Sequence, residues 1–342
     1  LSVIGLLILW AVIVAGLTSL MLIMHPPAIK YDGTFYYAIL RSLFFDGDLN
    51  YHNEAQRYPW ITDSYGAVLA NGLISNPFAL GSAVLWAPFF VVAHAYCSTV
   101  LGSSCDGYSY PYILSIHVGT IAWVVTGHVL LIRTLCQMQP PRWRAIPIFS
   151  VLSMALGSPL LFYTLVDLDY SHGNSFFAAS LWFFLLVRAL QSRTTTVWLS
   201  FGMGLSIGLL YLVRWQDALY GLLLLPVLGQ WYLRRNWCSG LSFAVGAILV
   251  GSLQSLFWWI LYGKPFTIPQ GPNFLSFSHV EGVRFLFSTW NGVFLWHPIF
   301  LVSLSGLLWG ALRLSQEQDR ELRLLVVSGL ILVTGPTGSG KS

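Results

Sequence analysis

The stretch YILSIHVGTIAWVVTGHVLLIR, Tyr112–Arg133, decides the fold of this chain. Its only formally charged residue is the last one. A helix that crosses a lipid bilayer needs about 20 predominantly apolar residues. Backbone inside a bilayer must satisfy its own hydrogen bonds, and apolar runs of this length are unsuited to a β-barrel. The stretch therefore predicts a membrane-spanning helix.

Comparable apolar runs recur along the whole sequence. They lie at 1–24, 78–98, 112–133, 145–165, 174–190, 196–213, 218–233, 239–262, 290–312 and 324–334. Most of them reach the length that a spanning helix requires, and the last is short. The sequence therefore predicts an all-α fold, a polytopic transmembrane helical bundle of about nine or ten hydrophobic helices.

Composition supports the same class of protein. Of the 342 residues, 56% are hydrophobic and only 9% are charged, and the mean hydropathy is +0.68. Soluble domains carry about 25% charged residues, so this chain cannot cover itself with a water-compatible surface. We therefore expect an integral membrane protein with lipids as partners. The net charge of +4 is small, and nucleic acid is not an expected partner.

The distribution of arginine predicts the orientation, because cytoplasmic loops are enriched in Lys and Arg. Arginines mark four alternate loops, near 133–144, 188–193, 234–235 and 313–323. The opposite face then holds 25–77, 99–111, 167–173, 214–217 and 262–289. If 25–77 and 99–111 share a face, the run 78–98 cannot cross once. We expect it to be an interfacial or re-entrant helix, with a spanning helix as the alternative.

The loop 25–77 is long for a polytopic membrane protein and rich in aromatic residues, so we expect it to be ordered. Its segment 35–45 has helical spacing and could lie along the membrane surface. Asp46, Asp48 and Asp63 are interpreted as a solvated face. Asp32 follows the first apolar run closely and stands among aromatic residues, where a partly desolvated carboxylate could act as a base or as a metal ligand.

Two short polar turns belong to the same face. In VDLDYSHGNSFF, Val166–Phe177, acids and a histidine stand between two apolar runs, namely Asp167, Asp169, Tyr170 and His172. Such groups are costly beside a membrane unless they are used, and helix capping by Ser171 or Asn174 would explain only one of them. In LVRWQDALYG, Arg214 could snorkel or pair with Asp217, or it could bind a phosphate.

Further residues of this face suggest an anionic ligand. Lys264 and Arg284 lie in an aromatic and proline-rich loop, and together with Arg214 they could hold an anionic lipid headgroup. The four cysteines show no metal-ligand spacing. Cys97 and Cys105 could form a disulfide if they face an oxidising compartment, and otherwise they are free thiols.

The segments YDGTFYYAILRSLFFDGDL, NPFALGSAVLWAPFF, LDYSHGNSFF, LVRWQDAL and FLFSTWNGVFLWHP, in this order, resemble bacterial GT-C class membrane glycosyltransferases. This group is related to dolichyl-phosphate-mannose-protein mannosyltransferases. The resemblance covers about residues 1–325. It implies transfer of a sugar from a polyprenyl-phosphate donor to a glycan, lipid or protein acceptor at the extracytoplasmic face of a bacterial inner membrane. Where the family commonly has Asp-Glu in the first outer loop, this chain has Asp32-Gly33, which leaves a requirement for a divalent metal ion open.

The resemblance and the residues together suggest roles. Asp32 is the expected catalytic base, aided by Asp169. The expected ligands of substrate or lipid phosphate are Tyr170, His172, Arg214, Lys264 and Arg284. A carrier or flippase for a lipid-linked sugar is the alternative function, although polar residues gathered at one face favour surface chemistry over passage.

The last residues, LILVTGPTGSGKS, carry a different motif. Gly335, Gly340, Lys341 and Ser342 fit the phosphate-binding loop of nucleotide-binding proteins. The segment resembles that of type II secretion and type IV pilus ATPases. A working loop needs the helix that follows the lysine and a separate aspartate, and neither is in the sequence. We therefore expect 326–342 to be a remnant joined to a truncated glycosyltransferase, and ATP is not an expected cofactor. A genuine ATPase fusion is the remaining alternative.

Overall fold

A computed structural model describes Val12, Gly16 and residues 28–102, 105–138, 145–192, 195–271, 282–290 and 292–313. The predicted helix at 1–24, apart from its two described positions, and the motif at 326–342 lie outside the described residues. The described chain is built from helices, with one isolated antiparallel bridge between Val68 and Ile74. The predicted all-α bundle is confirmed.

The helices are numbered in chain order. Those of the first loop and its flanks are α1 (Asp32–Arg41), α2 (His52–Arg57), α3 (Trp60–Asp63) and α4 (Gly81–Tyr96). The central helices are α5 (Tyr110–Met138), α6 (Ala145–Gly157), α7 (Leu160–Leu165), α8 (His172–Gln191) and α9 (Val197–Val213). The last are α10 (Leu225–Leu233), α11 (Trp237–Tyr262), α12 (Gly282–Phe287), α13 (Val293–Trp296) and α14 (Ile299–Arg313). Single π-helical turns extend α1 to Asp46 and α4 to Leu101, and a 3₁₀ helix over Trp215–Leu224 precedes α10.

Four of the described helices are long and apolar enough to cross a membrane. They are Gly81–Leu101, Tyr110–Met138, His172–Gln191 and Trp237–Tyr262, and Val197–Val213 is a shorter apolar helix. These helices are compatible with an integral membrane protein. Some predicted runs are interrupted: 145–165 divides into α6 and α7, and 218–233 is partly 3₁₀ helix.

The closest helix packing joins α9 to α11. A β-carbon on Gly204 would overlap the carbonyl oxygen of Phe243 and lie 2.9 Å from the amide nitrogen of Ala247. A β-carbon on Gly208, one turn later, would lie 2.9 Å from the Ala247 carbonyl oxygen. Small residues four apart let two apolar helices bring their backbones together in this way. This interface fixes the end of α9, where Arg214 begins the next turn.

The bundle has an end at which α8 begins and α9 stops, called here the site end. Gly173 of α8 packs against Thr120 of α5, so the first turns of α5 extend past the start of α8. Helix α4 lies beside this extension: Gly81 packs on the last residues of α9, and His94 bonds to Tyr112. The length of α4 would also allow it to cross a membrane, but its neighbours place it beside the protruding part of α5.

The loop 28–78 folds onto this protruding layer, as its aromatic content predicts. Its segment 35–45 is helical as expected, but Phe35, Tyr37 and Ile39 are fully buried against α4, α5 and α11 instead of lying along a surface. Apolar side chains surround α1 on several sides because the loop provides its own cover. Helix α1 is therefore held rigidly, with its first residue at the site end.

Candidate functional site

A polar cluster forms at the site end from three stretches that are far apart in sequence. It consists of Asp32 at the start of α1, Asp169 and Tyr170 before α8, His172 at the start of α8, and Arg214 and Asp217 after α9. Five of these six residues, all but Asp217, were predicted as site residues. The structure brings these five together. We refer to all six as the polar cluster.

The turn that presents Asp32 is strained. Gly33 donates its amide proton to the Lys30 carbonyl at 2.9 Å, and Tyr31 within this turn has φ 49° and ψ −125°. These angles suit the first central position of a type II′ turn, which normally takes glycine. A non-glycine residue there costs on the order of 1–3 kcal/mol, and such strain clusters at functional sites.

Asp169 lies directly against the start of α1. Its Oδ2 accepts a hydrogen bond of 2.8 Å from the Lys30 amide, and its residue is only 3% exposed. A β-carbon on Gly33 would overlap the Asp169 carboxylate and lie 2.9 Å from the Asp169 β-carbon. The carboxylate therefore fills the space that a side chain at position 33 would need. This explains why glycine follows Asp32.

The carboxylates of Asp32 and Asp169 both have raised pKa values. Burial raises the pKa of Asp32 to about 6, and the positive charge of Arg214 opposes the shift. Burial raises the pKa of Asp169 to about 7, against the amide of Lys30, which favours the charged form. A carboxylate with a pKa near neutrality is suited to accept a proton and to release it again.

Arg214 bonds to His172, not to an acid. Its Nη1 lies 2.7 Å from the His172 Nδ1, and the His172 ring stacks on Tyr163 with centroids 3.8 Å apart. A guanidinium can only donate, so the histidine nitrogen that accepts is unprotonated. Both ion pairs found among the described residues are made by Arg41. The pairing of Arg214 with Asp217 that the sequence allowed is therefore absent at ion-pair distance.

Asp217 is held by a hydroxyl instead. Ser175 Oγ donates to its Oδ2 at 2.5 Å, and its amide bonds to the Arg214 carbonyl at 2.9 Å. Burial raises the pKa of Asp217, and both Arg214 and Ser175 oppose this shift. Arg214 thus lies among several acids without being neutralised by direct contact with any one of them.

Ser171 and Asn174 do not cap α8 with their side chains, contrary to the capping hypothesis. Ser171 occupies the position before α8, but its hydroxyl makes no capping bond and instead shares a hydrogen bond of 2.8 Å with the Tyr36 hydroxyl. Asn174 is fully buried inside the helix. Ser171 therefore contacts α1 instead of capping α8, which local sequence patterns could not indicate.

A groove opens beside the cluster. It has a volume of about 290 Å³ and is lined by Ile29, Lys30, Tyr31, Thr34, Arg57, Tyr58, Pro59 and Trp60. The exposed rings of Tyr31 and Trp60 meet edge to face at 5.2 Å. Lys30 and Tyr31 line the groove and directly precede Asp32. The groove therefore adjoins the turn that presents Asp32, and its lining includes cationic and aromatic side chains.

An ion-pair network anchors the other end of α1. Arg41 donates to the fully buried Glu54 at 2.9 Å, pairs with Asp46, and lies 4.6 Å from the Tyr108 ring centroid. Asp46, Asp48 and Asp63 are exposed, as the solvated-face interpretation predicts. No sequence pattern predicted the Arg41–Glu54 pair, because no helical or strand period links two residues thirteen positions apart.

Two further predicted ligands lie on other elements: Lys264 is exposed just after α11, and Arg284 is exposed on α12. Gly335, Gly340, Lys341 and Ser342 fall outside the described residues. Across the described ranges, no three His, Cys, Asp or Glu side chains are grouped so that they could hold a metal ion.

Comparison of the chain with protein-family models, with curated proteins and with solved structures finds no match.

Proposed function

We propose that this chain is a GT-C-like membrane glycosyltransferase that transfers a sugar from a polyprenyl-phosphate donor to an acceptor hydroxyl at the extracytoplasmic face of a bacterial membrane. The observation that carries the proposal is the meeting of Asp32, Asp169 and Arg214 at one end of an apolar helical bundle, beside an open groove. Carboxylates with raised pKa values and an arginine are the groups that such a transfer needs.

The cluster suggests an inverting displacement. The acceptor oxygen attacks the anomeric carbon while Asp32 accepts the hydroxyl proton, and the bond from that carbon to the phosphate oxygen breaks with its electrons on the phosphate. Arg214 offsets the negative charge that develops on the departing lipid phosphate, since a guanidinium fork matches phosphate oxygens.

Asp169 has a distinct role in this proposal. In the resembled family a glutamate commonly follows the aspartate, whereas here the Asp169 carboxylate occupies the space beside Gly33. A second carboxylate is thereby retained beside Gly33, but it comes from the turn before α8. Its amide partner, Lys30, lies two residues before the proposed base, so Asp169 also fixes the turn that presents this base.

The groove suits the acceptor. Aromatic rings such as Tyr31 and Trp60 stack on sugar rings, and the exposed Arg57 can meet negative groups of a glycan or lipid. An acceptor in the groove would reach Asp32 without crossing the bundle.

Labelled polyprenyl-phosphate sugar supplied to right-side-out and inverted membrane vesicles tests the proposal. We expect transfer in right-side-out vesicles, loss of transfer in Asp32→Asn, and normal transfer in Asp48→Asn, a matched change at an exposed acid of the same loop. Wild-type turnover by Asp32→Asn would refute the assignment. Net movement of the labelled lipid without transfer would favour the alternative function, a carrier or flippase for the lipid-linked sugar.

A further inference from the structure

Two cysteines at the site end lie close enough to react with each other. Cys105 Sγ donates a hydrogen bond to Cys97 Sγ at 2.9 Å, and no disulfide joins the two sulfur atoms. A disulfide bond has a length of about 2.0 Å, so a small movement of the sulfur atoms would join them. The other two cysteines, Cys136 and Cys238, lie on α5 and α11 towards the opposite end of the bundle.

Packing on both sides fixes the position of the two sulfurs. Cys97 directly follows the last residue of α4 and is fully buried, and Gly102 then turns the chain with φ 58°. After Cys105, the carbonyl of Asp106 accepts a bond of 3.1 Å from Arg41, and the carbonyl of Gly107 accepts one from Tyr37. The approach of the sulfurs is thus imposed by α4 on one side and by α1 on the other.

We propose that Cys97 and Cys105 form an intramolecular disulfide that fastens the chain around 106–107 to α4 and so supports α1, the helix that begins with Asp32. The inference rests on the proposed extracytoplasmic orientation of the site end, because disulfides persist in oxidising compartments. It does not depend on glycosyl transfer.

The oxidant is an external disulfide, carried by a protein or by a small thiol. The half-exposed Cys105 thiolate attacks one sulfur of that disulfide, forms a mixed disulfide and releases one oxidant thiol. The Cys97 thiolate then attacks the Cys105 sulfur and releases the second oxidant thiol. Both cysteine protons end on the two thiols of the reduced oxidant, and one new sulfur–sulfur bond remains in the chain.

The test traps the thiols of the full chain in cells with acid and alkylates them in denaturant. We expect a peptide pair joined through Cys97 and Cys105 that resists alkylation until reductant is added, while Cys136 and Cys238 are alkylated without it. Alkylation of both Cys97 and Cys105 before reduction would overturn the proposal.

A second measurement is independent of the compartment and of the enzyme activity. Purified protein that has been reduced and freed of reductant should become about 2 Da lighter by intact mass when it is incubated with glutathione disulfide, and its unfolding midpoint should then fall when reductant is added again. Cys105→Ser should show neither change, while Cys136→Ser should behave like wild type. Stable mixed glutathione adducts on Cys105, in place of the internal bond, would overturn the proposed geometry.

Discussion

Replacing Gly33 with alanine tests the contact on which the polar cluster depends. Gly33 lies in the first turn of α1 with a helical backbone, so alanine alone should favour the helix by up to about 1 kcal/mol. Its β-carbon, however, would overlap the Asp169 carboxylate and lie 2.9 Å from the Asp169 β-carbon, where ordinary contacts begin near 3.4 Å. A gain in stability would therefore show that helix propensity dominates, and a loss would show that the contact with Asp169 dominates.

The magnitude follows from the bonds that the clash would break. Asp169 must move away from α1, which separates its Oδ2 from the Lys30 amide and leaves the buried carboxylate without this donor. Losing such a partner costs about 1–3 kcal/mol, and overpacking adds about 1–3 kcal/mol. We expect Gly33→Ala to destabilise the protein by about 2–5 kcal/mol after the helix preference is subtracted.

A double-mutant cycle measures this coupling. The unfolding midpoint is compared in detergent for wild type, Gly33→Ala, Asp169→Gly and the double variant. Because Asp169→Gly removes the obstructing side chain, Gly33→Ala should cost little or nothing in its presence, so the coupling should nearly equal the cost in the wild type, about 2–5 kcal/mol. Equal effects of Gly33→Ala with and without Asp169, or a stabilising effect in the wild type, would refute the reasoning.

Three further predictions concern pH, the buried ion pair and helix packing. The pKa of Asp169 is raised from 3.8 to about 7 on folding, so stability should fall as pH rises from about 4 to 7, and Asp169→Asn should flatten this slope in pH-dependent melting. Arg41→Met should cost about 3–5 kcal/mol in melting experiments because it leaves Glu54 buried without its partner, and adding Glu54→Leu should recover most of this loss. Gly204→Ala should lower the melting midpoint because its β-carbon meets backbone of α11, whereas Gly202→Ala, with its nearest neighbour at 3.8 Å, should be close to neutral.

Each of these three predictions has a result that would contradict it. A rise in stability between pH 4 and 7 that disappears in Asp169→Asn would reverse the sign assigned to Asp169. Wild-type stability of Arg41→Met would show that Glu54 needs no partner. Equal effects of alanine at Gly204 and Gly202 would show that α9 and α11 do not meet as closely as described.

The helical class of this protein could be predicted from sequence because it depends on local composition. The run 112–133 lies within α5, and 239–262 lies within α11, since apolar segments of this length can satisfy backbone hydrogen bonds only as helices. The interruptions in 145–165 and 218–233 were not predicted. Pro159 directly precedes a separate short helix, and the 3₁₀ segment after Arg214 reflects packing that hydropathy does not record.

The polar cluster could be predicted in part. Asp32, Asp169 and Arg214 stood out because each is an ionisable residue beside long apolar runs, where such residues are rare. Lys264 and Arg284 satisfied the same rule but lie on other elements, since the rule says nothing about distance between segments. The bond between Arg214 and His172 in place of an ion pair with Asp217 also had no sequence signal.

By itself, the sequence determined that the chain forms apolar helices and that its unusual polar residues fall in the connections at one end. Both follow from side-chain chemistry read along the chain. Only the tertiary structure decided that Asp169 fills the space beside Gly33, and that Arg41 neutralises Glu54 beneath the first loop. These contacts join residues whose separation along the chain carries no period, so their geometry exists only once the helices have packed.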